Sequence, residues 1–213
     1  MEKDRFVELH PRLYHMAEAG SWPSIKVHGL LSTSAALDAV GLSGEERTLL
    51  ELNHRPASVE ISRPSKPTIV LRDQKPMPRE RLLTALDGGL TPEDWFQFLN
   101  GRVFFWANRA RVEGLLNARA YRDKPHNVLT IDTRGIVDAY EARILLCHMN
   151  SGNTFPYPHR RDLSIFRTIH DYPVKKNGAP LKPVAELTVE YSVPDIANFV
   201  VDVATIKGSG ASA

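Results

Sequence analysis

The chain is poor in cysteine, in long apolar runs and in net charge. Cys147 is the single cysteine in 213 residues, so no intrachain disulfide can form and a structural zinc site built on cysteines is excluded. No stretch approaches the roughly 18 apolar residues that a membrane-spanning helix requires. The opening Met1-Glu2-Lys3-Asp4-Arg5 is charged and lacks the apolar core of a signal peptide. Together these absences point to a cytoplasmic protein. The formal net charge is only +2, so the molecule as a whole is not a polycation. No internal repeat and no linker interrupts the sequence. It reads as one α+β domain over residues 1–206 with a flexible C-terminal tail, 207–213.

What is present is an ordinary globular mixture, 42% apolar and 24% charged. Cys147, inside Ile144-Leu145-Leu146-Cys147, reads as a small buried hydrophobe rather than a catalytic thiol. The charge is unevenly placed. From Phe155 to Lys182 stand Arg160, Arg161, Arg167, Lys175, Lys176 and Lys182, against Asp162 and Asp171. Such a surface can bind phosphates, or it can be a solvated loop that keeps the protein soluble.

Patterning divides the chain into short elements. Arg12 to His15 reads as a first strand ending in a histidine, and Glu18 to Val27 as a short helix. Ser34 to Val40 reads as a helix capped by Ser34. Ser43 and Glu46 have the spacing of a capping box ahead of Leu49, Leu50 and Leu52. Thr68 to Arg72 is a short strand within the proline-rich, basic stretch Arg55 to Pro78. Arg79 to Leu86 is helical, with Leu82, Leu83 and Leu86 on one face. Thr91-Pro92-Glu93-Asp94 starts another helix: a threonine cap, proline in the first turn, acids facing the dipole. Arg102 to Trp106 has high β-propensity. A helix over Asn108 to Ala120, a strand over Val128 to Asp132, a helical turn over Ile136 to Tyr140 and a strand over Ile144 to His148 follow. Asn150 to Pro183 has little periodicity, with room for a short helix near Leu163 to Ile169, and loops of that length are usually functional or mobile. Strands over Val184 to Tyr191 and Phe199 to Ile206 flank a turn at Pro194 to Phe199.

Several residues on these elements could carry chemistry. His15 is either a ligand-binding group or a satisfied core residue. Gly29 either lets the backbone approach a ligand or ends a helix whose last turn carries His28. In the late strand, Leu187, Val189 and Tyr191 share one face, and Glu186, Thr188 and Glu190 the other. A carboxylate there either faces a cleft or faces solvent, and Glu190 is the rival to Glu186. Arg72 ends its strand either as a phosphate fork or as a surface partner of Asp73. Phe105 and Trp106 are neighbours pointing to opposite faces, so at most one lies in a pocket. Asn108, Arg109 and Arg111 begin a helix where a phosphate could bind.

Tyr14-His15 followed by Gly29-Leu30-Leu31-Ser32 resembles the first motif of the ADP-ribosyltransferase superfamily, the diphtheria-toxin and PARP-like enzymes. The likeness is nearest to DarT-type enzymes, which modify bases in DNA. Val103-Phe104-Phe105-Trp106 resembles the family's aromatic strand, and Val184-Ala185-Glu186-Leu187-Thr188-Val189 its late glutamate strand. The order of first motif, aromatic strand, long loop and glutamate strand is also similar. The resemblance implies a split pair of mainly antiparallel sheets with surrounding helices. It implies an NAD-dependent mono-ADP-ribosyltransferase that modifies a nucleic-acid base, DNA ahead of RNA, and releases nicotinamide without a metal. It gives NAD binding to Tyr14, His15, Gly29, Leu30, Ser32, Phe105 and Trp106, with Ser34 a weaker candidate. It gives catalysis to Glu186 and Arg72.

The loop before the glutamate strand is where such enzymes recognise the acceptor, which makes His159, Arg160, Arg161 and Arg167, interleaved with Phe155, Tyr157 and Phe166, the acceptor-binding candidates. Aromatics stack on bases while guanidinium groups bind phosphates. An antitoxin or a reversing hydrolase is a further partner the resemblance implies. Val184 stands where arginine-modifying relatives carry a second Glu or Gln, which argues against an arginine acceptor. The proline-rich stretch before Arg72 has no counterpart in the DarT pattern. Two alternatives are an RNA 2′-phosphotransferase on the same fold and a non-catalytic nucleic-acid-binding module.

Overall fold

A computed structural model describes residues 1–62 and 64–209. In chain order the elements are α1 (Lys3–Leu9), β1 (Arg12–Glu18), α2 (Trp22–His28), β2 (Leu30–Leu31), α3 (Thr33–Val40), α4 (Gly44–Glu51), β3 (Val59–Ile61) and β4 (Ile69–Leu71). Next come α5 (Arg79–Ala85), α6 (Pro92–Asn100), β5 (Arg102–Trp106), α7 (Arg109–Leu116), β6 (Pro125–Asp132), α8 (Thr133–Tyr140) and β7 (Ile144–Cys147). The chain closes with β8 (Phe166–Arg167), β9 (Glu186–Glu190), β10 (Ser192–Val193) and β11 (Val200–Lys207).

The architecture is α+β, organised on a seven-stranded sheet in the order β11-β6-β1-β5-β9-β7-β8. Every neighbouring pair runs antiparallel. The ladder is uneven. β1 pairs with β6 along its whole length, from Arg12↔Asp132 to Glu18↔His126. It meets β5 at one pair only, Tyr14↔Trp106. Beyond that rung the two central strands part, and the sheet becomes two halves, β11-β6-β1 and β5-β9-β7-β8. Buried backbone groups need partners, and side chains supply some of them at the split. His15 bonds the Phe104 carbonyl at 2.8 Å, and Arg72 donates to the Met16 carbonyl at 2.8 Å.

Three apolar clusters hold the halves. Phe6, Leu13, Leu129, Ile131, Ile136, Leu146, Leu187 and Val189 form the main core. Trp95 and Phe96 of α6 pack with Leu82, Cys147 and Phe166. Val112 and Leu116 of α7 pack on Met16 and Val128. The buried Cys147 is thus the core hydrophobe expected of it; burial and the neighbouring Glu186 push its thiol up to about 12.

Local chemistry explains where the sequence expectations held and where they shifted. The Thr91 cap is a full capping box with Asp94, with Pro92 in the first turn. α3 begins one residue earlier than expected, and its cap is Ser32, whose Oγ accepts from the Ala35 N–H at 3.1 Å; Ser34 instead donates to the Asn100 carbonyl. Ser43 makes no capping bond, and Gly44 opens α4 at φ +68°. His15 is not at a strand end: β1 runs three residues further because β6 offers partners as far as Glu18. β4 has a partner, β3, which the proline-rich composition concealed. Leu83 is exposed while Leu82 and Ala85 carry the buried face of α5. α7 ends at Leu116, four residues short of expectation. Lys207 closes β11, and the Ser209 N–H donates to Asn117, so the expected tail starts too early; residues 210–213 lie outside the described residues.

Gly29 ends α2 at φ +80°, ψ 177°, a region open to glycine almost alone. A Cβ there would stand 2.4 Å from the Pro194 Cα. The glycine therefore serves a close backbone crossing with the chain after β10. Gly29→Ala should cost roughly 2–3 kcal/mol through strain and overlap, read as a lower urea midpoint with an unchanged slope.

Candidate functional site: the cleft at the split sheet

A cavity of about 320 Å³ opens where β1 and β5 part. Its walls come from β1, the end of α2, β2, the start of α3, the β4 strand with Arg72 to Gln74, all of β5, the Asn150–Gly152 turn and Glu186. His15, Gly29, Leu30, Ser32, Arg72, Phe105, Trp106 and Glu186 all line it.

Glu186 is the first residue of β9 and sits opposite Trp106 on one side and Cys147 on the other. It is 4% exposed, whereas the rival Glu190 is exposed. The solvent-facing alternative for Glu186 is thereby excluded. Its carboxylate accepts from Ser151, at 2.7 Å from Oγ and 3.2 Å from the backbone N–H. Burial lifts the Glu186 carboxyl to about 7, against the opposing pull of the Ser151 bonds and the Arg111 and Arg161 charges.

His15 turns its ring into the split. A carbonyl only accepts, so the 2.8 Å contact with Phe104 fixes the proton on Nδ1 and leaves Nε2 as a lone-pair acceptor. Burial holds the imidazole down to about 4, and the Arg72 charge adds to that, so the ring is neutral at physiological pH. Phe105 packs edge-on against it, ring centres 5.9 Å apart. Phe105 is buried and Trp106 partly exposed, as the alternation of β5 requires, yet both line the cavity, against the expectation that at most one would: β5 borders the split along its whole length.

Arg72 is not paired with Asp73. Its guanidinium lies over the Tyr121 ring at 5.1 Å, and its Nε is buried with no partner among the described residues. Asp73 instead accepts from the Tyr121 hydroxyl at 2.7 Å and stands 3.6 Å from the Lys75 ammonium.

Two wall residues escaped the sequence reading. Arg55 is 6% exposed and bonds the Arg72 carbonyl, Thr33 and Asn100, with no carboxylate partner among the described residues. Burial lowers its guanidinium to about 10, partly offset by the Asp73 charge. No periodicity marks it within its proline-rich stretch. Ser151 was legible only as a Ser-Gly turn signal.

Other expected residues lie elsewhere. Tyr14 packs with the α7 cluster, beside Arg109 at 6.0 Å, and does not line the cavity. Among the acceptor candidates, Arg161 is 2% exposed, and its guanidinium donates to the carbonyls of Ser151, Asn153 and His159. That is a structural clamp, not a phosphate site. Arg160 pairs with Asp87. His159 and Arg167 are exposed, and none of the four lines the cavity. Of the three residues at the start of α7, Asn108 is its cap and Arg109 pairs with Glu113, while Arg111 faces a second cavity.

Among the described residues, no group of three or more His, Cys, Asp or Glu gathers to hold a metal, and no helix is long and apolar enough to cross a membrane. Residues 11–200 match DUF7002, a family of unknown function, and the chain belongs to that family. The chain matches no curated protein.

Proposed function

We propose that this chain is an NAD-dependent mono-ADP-ribosyltransferase acting on a nucleic-acid base, with DNA the first acceptor to test. One observation carries the reading: His15, Arg72, Trp106 and Glu186, far apart in sequence, converge on the wall of one cavity. These are the residues to which the family resemblance assigns roles. The single rung between two antiparallel half-sheets supports the same fold family, in which a split sheet is expected.

The wall suits a dinucleotide. Arg55 is a buried cation without a carboxylate, and Arg72 has a buried unpartnered N–H, both features that favour a diphosphate nearby. NAD supplies a glycosidic C–N bond whose electron pair leaves with nicotinamide. His15 Nε2 accepts a hydrogen bond from a ribose hydroxyl or the carboxamide. Trp106 offers an aromatic face. Glu186, when ionised, accepts the ribose 2′-hydroxyl and stabilises the positive charge that grows at C1′. A carboxyl held near neutrality also suits the removal of the acceptor's proton.

The test is labelled NAD incubated separately with single-stranded DNA, RNA and a protein extract. Label on DNA with matching release of nicotinamide supports the proposal. NAD left intact in every arm refutes the enzyme, and label confined to protein refutes the acceptor class. In the same assay His15→Ala should raise KM for NAD roughly tenfold with a smaller change in kcat. An unchanged KM would remove His15 from the site.

A further inference from the structure

A second cavity, of about 550 Å³, shares Pro76, Trp106, Leu115, Tyr121 and Asn150 with the first. Its lining holds three cations, Lys75, Arg111 and Arg119, and no Asp or Glu. Arg111 and Arg119 have no carboxylate partner among the described residues, whereas Arg109 on the same stretch is paired with Glu113. Lys75 stands 3.6 Å from Asp73, so the charge left on this wall without a carboxylate partner among the described residues is that of Arg111 and Arg119. Much of the remaining lining is apolar or aromatic, with Asn150 and Asn153 among it. Trp106 is partly exposed, and Phe155 stands half exposed, with the Arg81 guanidinium 4.1 Å from its ring centre.

We infer that this second cavity is the acceptor groove, and that it takes a single-stranded nucleic acid with phosphates on Lys75, Arg111 and Arg119 and a base against Trp106. The inference rests on the transferase reading for its chemistry, and on the groove's own lining for its location. Trp106 is the link. It lines both cavities and is the cross-strand partner of Glu186, so the two side chains are nearest neighbours on one face of the sheet. A base stacked there lies beside the carboxylate that would activate it. Uncompensated cations repel an arginine or lysine acceptor and attract a phosphate backbone. Exposed aromatic faces beside that charge distinguish a strand of bases from an acidic peptide. A duplex would have to release its base before Trp106 could stack on it. The acceptor site thus moves from His159, Arg160 and Arg167 to the face of α7 and the residues that follow it.

The experiment measures binding and chemistry separately. Fluorescence anisotropy with a labelled single-stranded DNA oligonucleotide, without NAD, should give an affinity that falls steeply with salt. The double variant Lys75→Glu, Arg119→Glu should weaken that affinity roughly tenfold or more and flatten the salt slope. Arg111→Gln, a milder change, should weaken the strand and also move the pH midpoint of nicotinamide release upward, because the Arg111 charge opposes protonation of Glu186; a purely structural role would leave that midpoint in place. Wild-type affinity in the double variant overturns the groove. So does an acidic peptide that displaces the oligonucleotide at comparable concentration, or a duplex that binds as tightly. If no NAD is cleaved in any arm while the double variant still loses the strand, the transferase reading fails and the groove stands.

Discussion

Glu186→Gln should lose nicotinamide release by roughly two to three orders of magnitude and yet melt above the wild type at pH 8. Both results have one cause. The carboxyl is buried against Trp106 and Cys147, and burial lifts it to about 7 from an ordinary value of 4.5. Between those values the folded chain binds a proton that the unfolded chain has lost, so stability falls as pH rises through that window. Above pH 7 the full penalty of holding an ionised carboxylate applies, roughly 3 kcal/mol. Glutamine keeps the shape and the acceptor oxygen for Ser151 but never ionises. The variant and the wild type should therefore melt together below pH 4.5 and diverge with rising pH. Wild-type turnover should rise with pH to a plateau just above 7, because the charged form is the one that stabilises a growing positive charge. Equal melting temperatures at pH 8, or turnover that falls through pH 7, would defeat this account of the carboxylate. Such a trade of stability for activity is common at catalytic sites.

The second large effect belongs to Arg161. Arg161→Ala should destabilise the fold by roughly 3–5 kcal/mol, enough to lower the melting temperature by about ten degrees. The guanidinium reaches Ser151 at 2.9 Å, Asn153 at 2.8 Å and His159 at 2.9 Å, all at backbone carbonyls. Removing it strands those acceptors and frees the turn that carries Ser151, which in turn orients Glu186. Lysine is no substitute, because one ammonium cannot span three carbonyls set around a planar fork. Calorimetry and limited proteolysis of the 151–159 segment measure the effect. A variant that melts within about one degree of wild type and resists protease there would show that the clamp is dispensable. Arg160→Ala is the control: it removes a largely exposed pair with Asp87 and should change stability by no more than about 1 kcal/mol.

These two arginines mark the limit of what the sequence discloses. Thr91 could be read as a cap because its partner Asp94 is three residues away, and capping is local chemistry. Alternation along β5 could tell the buried Phe105 from the partly exposed Trp106, but not that both would line the cavity, which depends on where β1 and β5 part. Glu186 could be assigned to the start of a strand, but its burial depends on a turn some 35 residues earlier in the chain. Adjacent arginines at 160 and 161 look alike in a basic run, and only tertiary contacts make one a surface charge and the other a buried clamp. Arg55 is hidden for the same reason: its partners, Thr33 and Asn100, lie 22 and 45 residues away. Gly29 could be recognised as a conformational need, while the neighbour that imposes it, Pro194, could not.

The lone Tyr14↔Trp106 rung has an outcome that side-chain scanning cannot reach. A seven-stranded sheet normally keeps its unpaired main-chain edges at its two flanks. Here β1 and β5 carry an additional edge in the interior, where peptide groups beyond the rung face the cleft instead of each other. Recognition drawn from those groups is written in the polypeptide itself and survives any residue exchange that keeps the strands apart. Alanine scanning will undercount it. Backbone ester substitution at positions 16 and 18, which deletes one cleft-facing peptide donor at a time, is the chemistry that can weigh it.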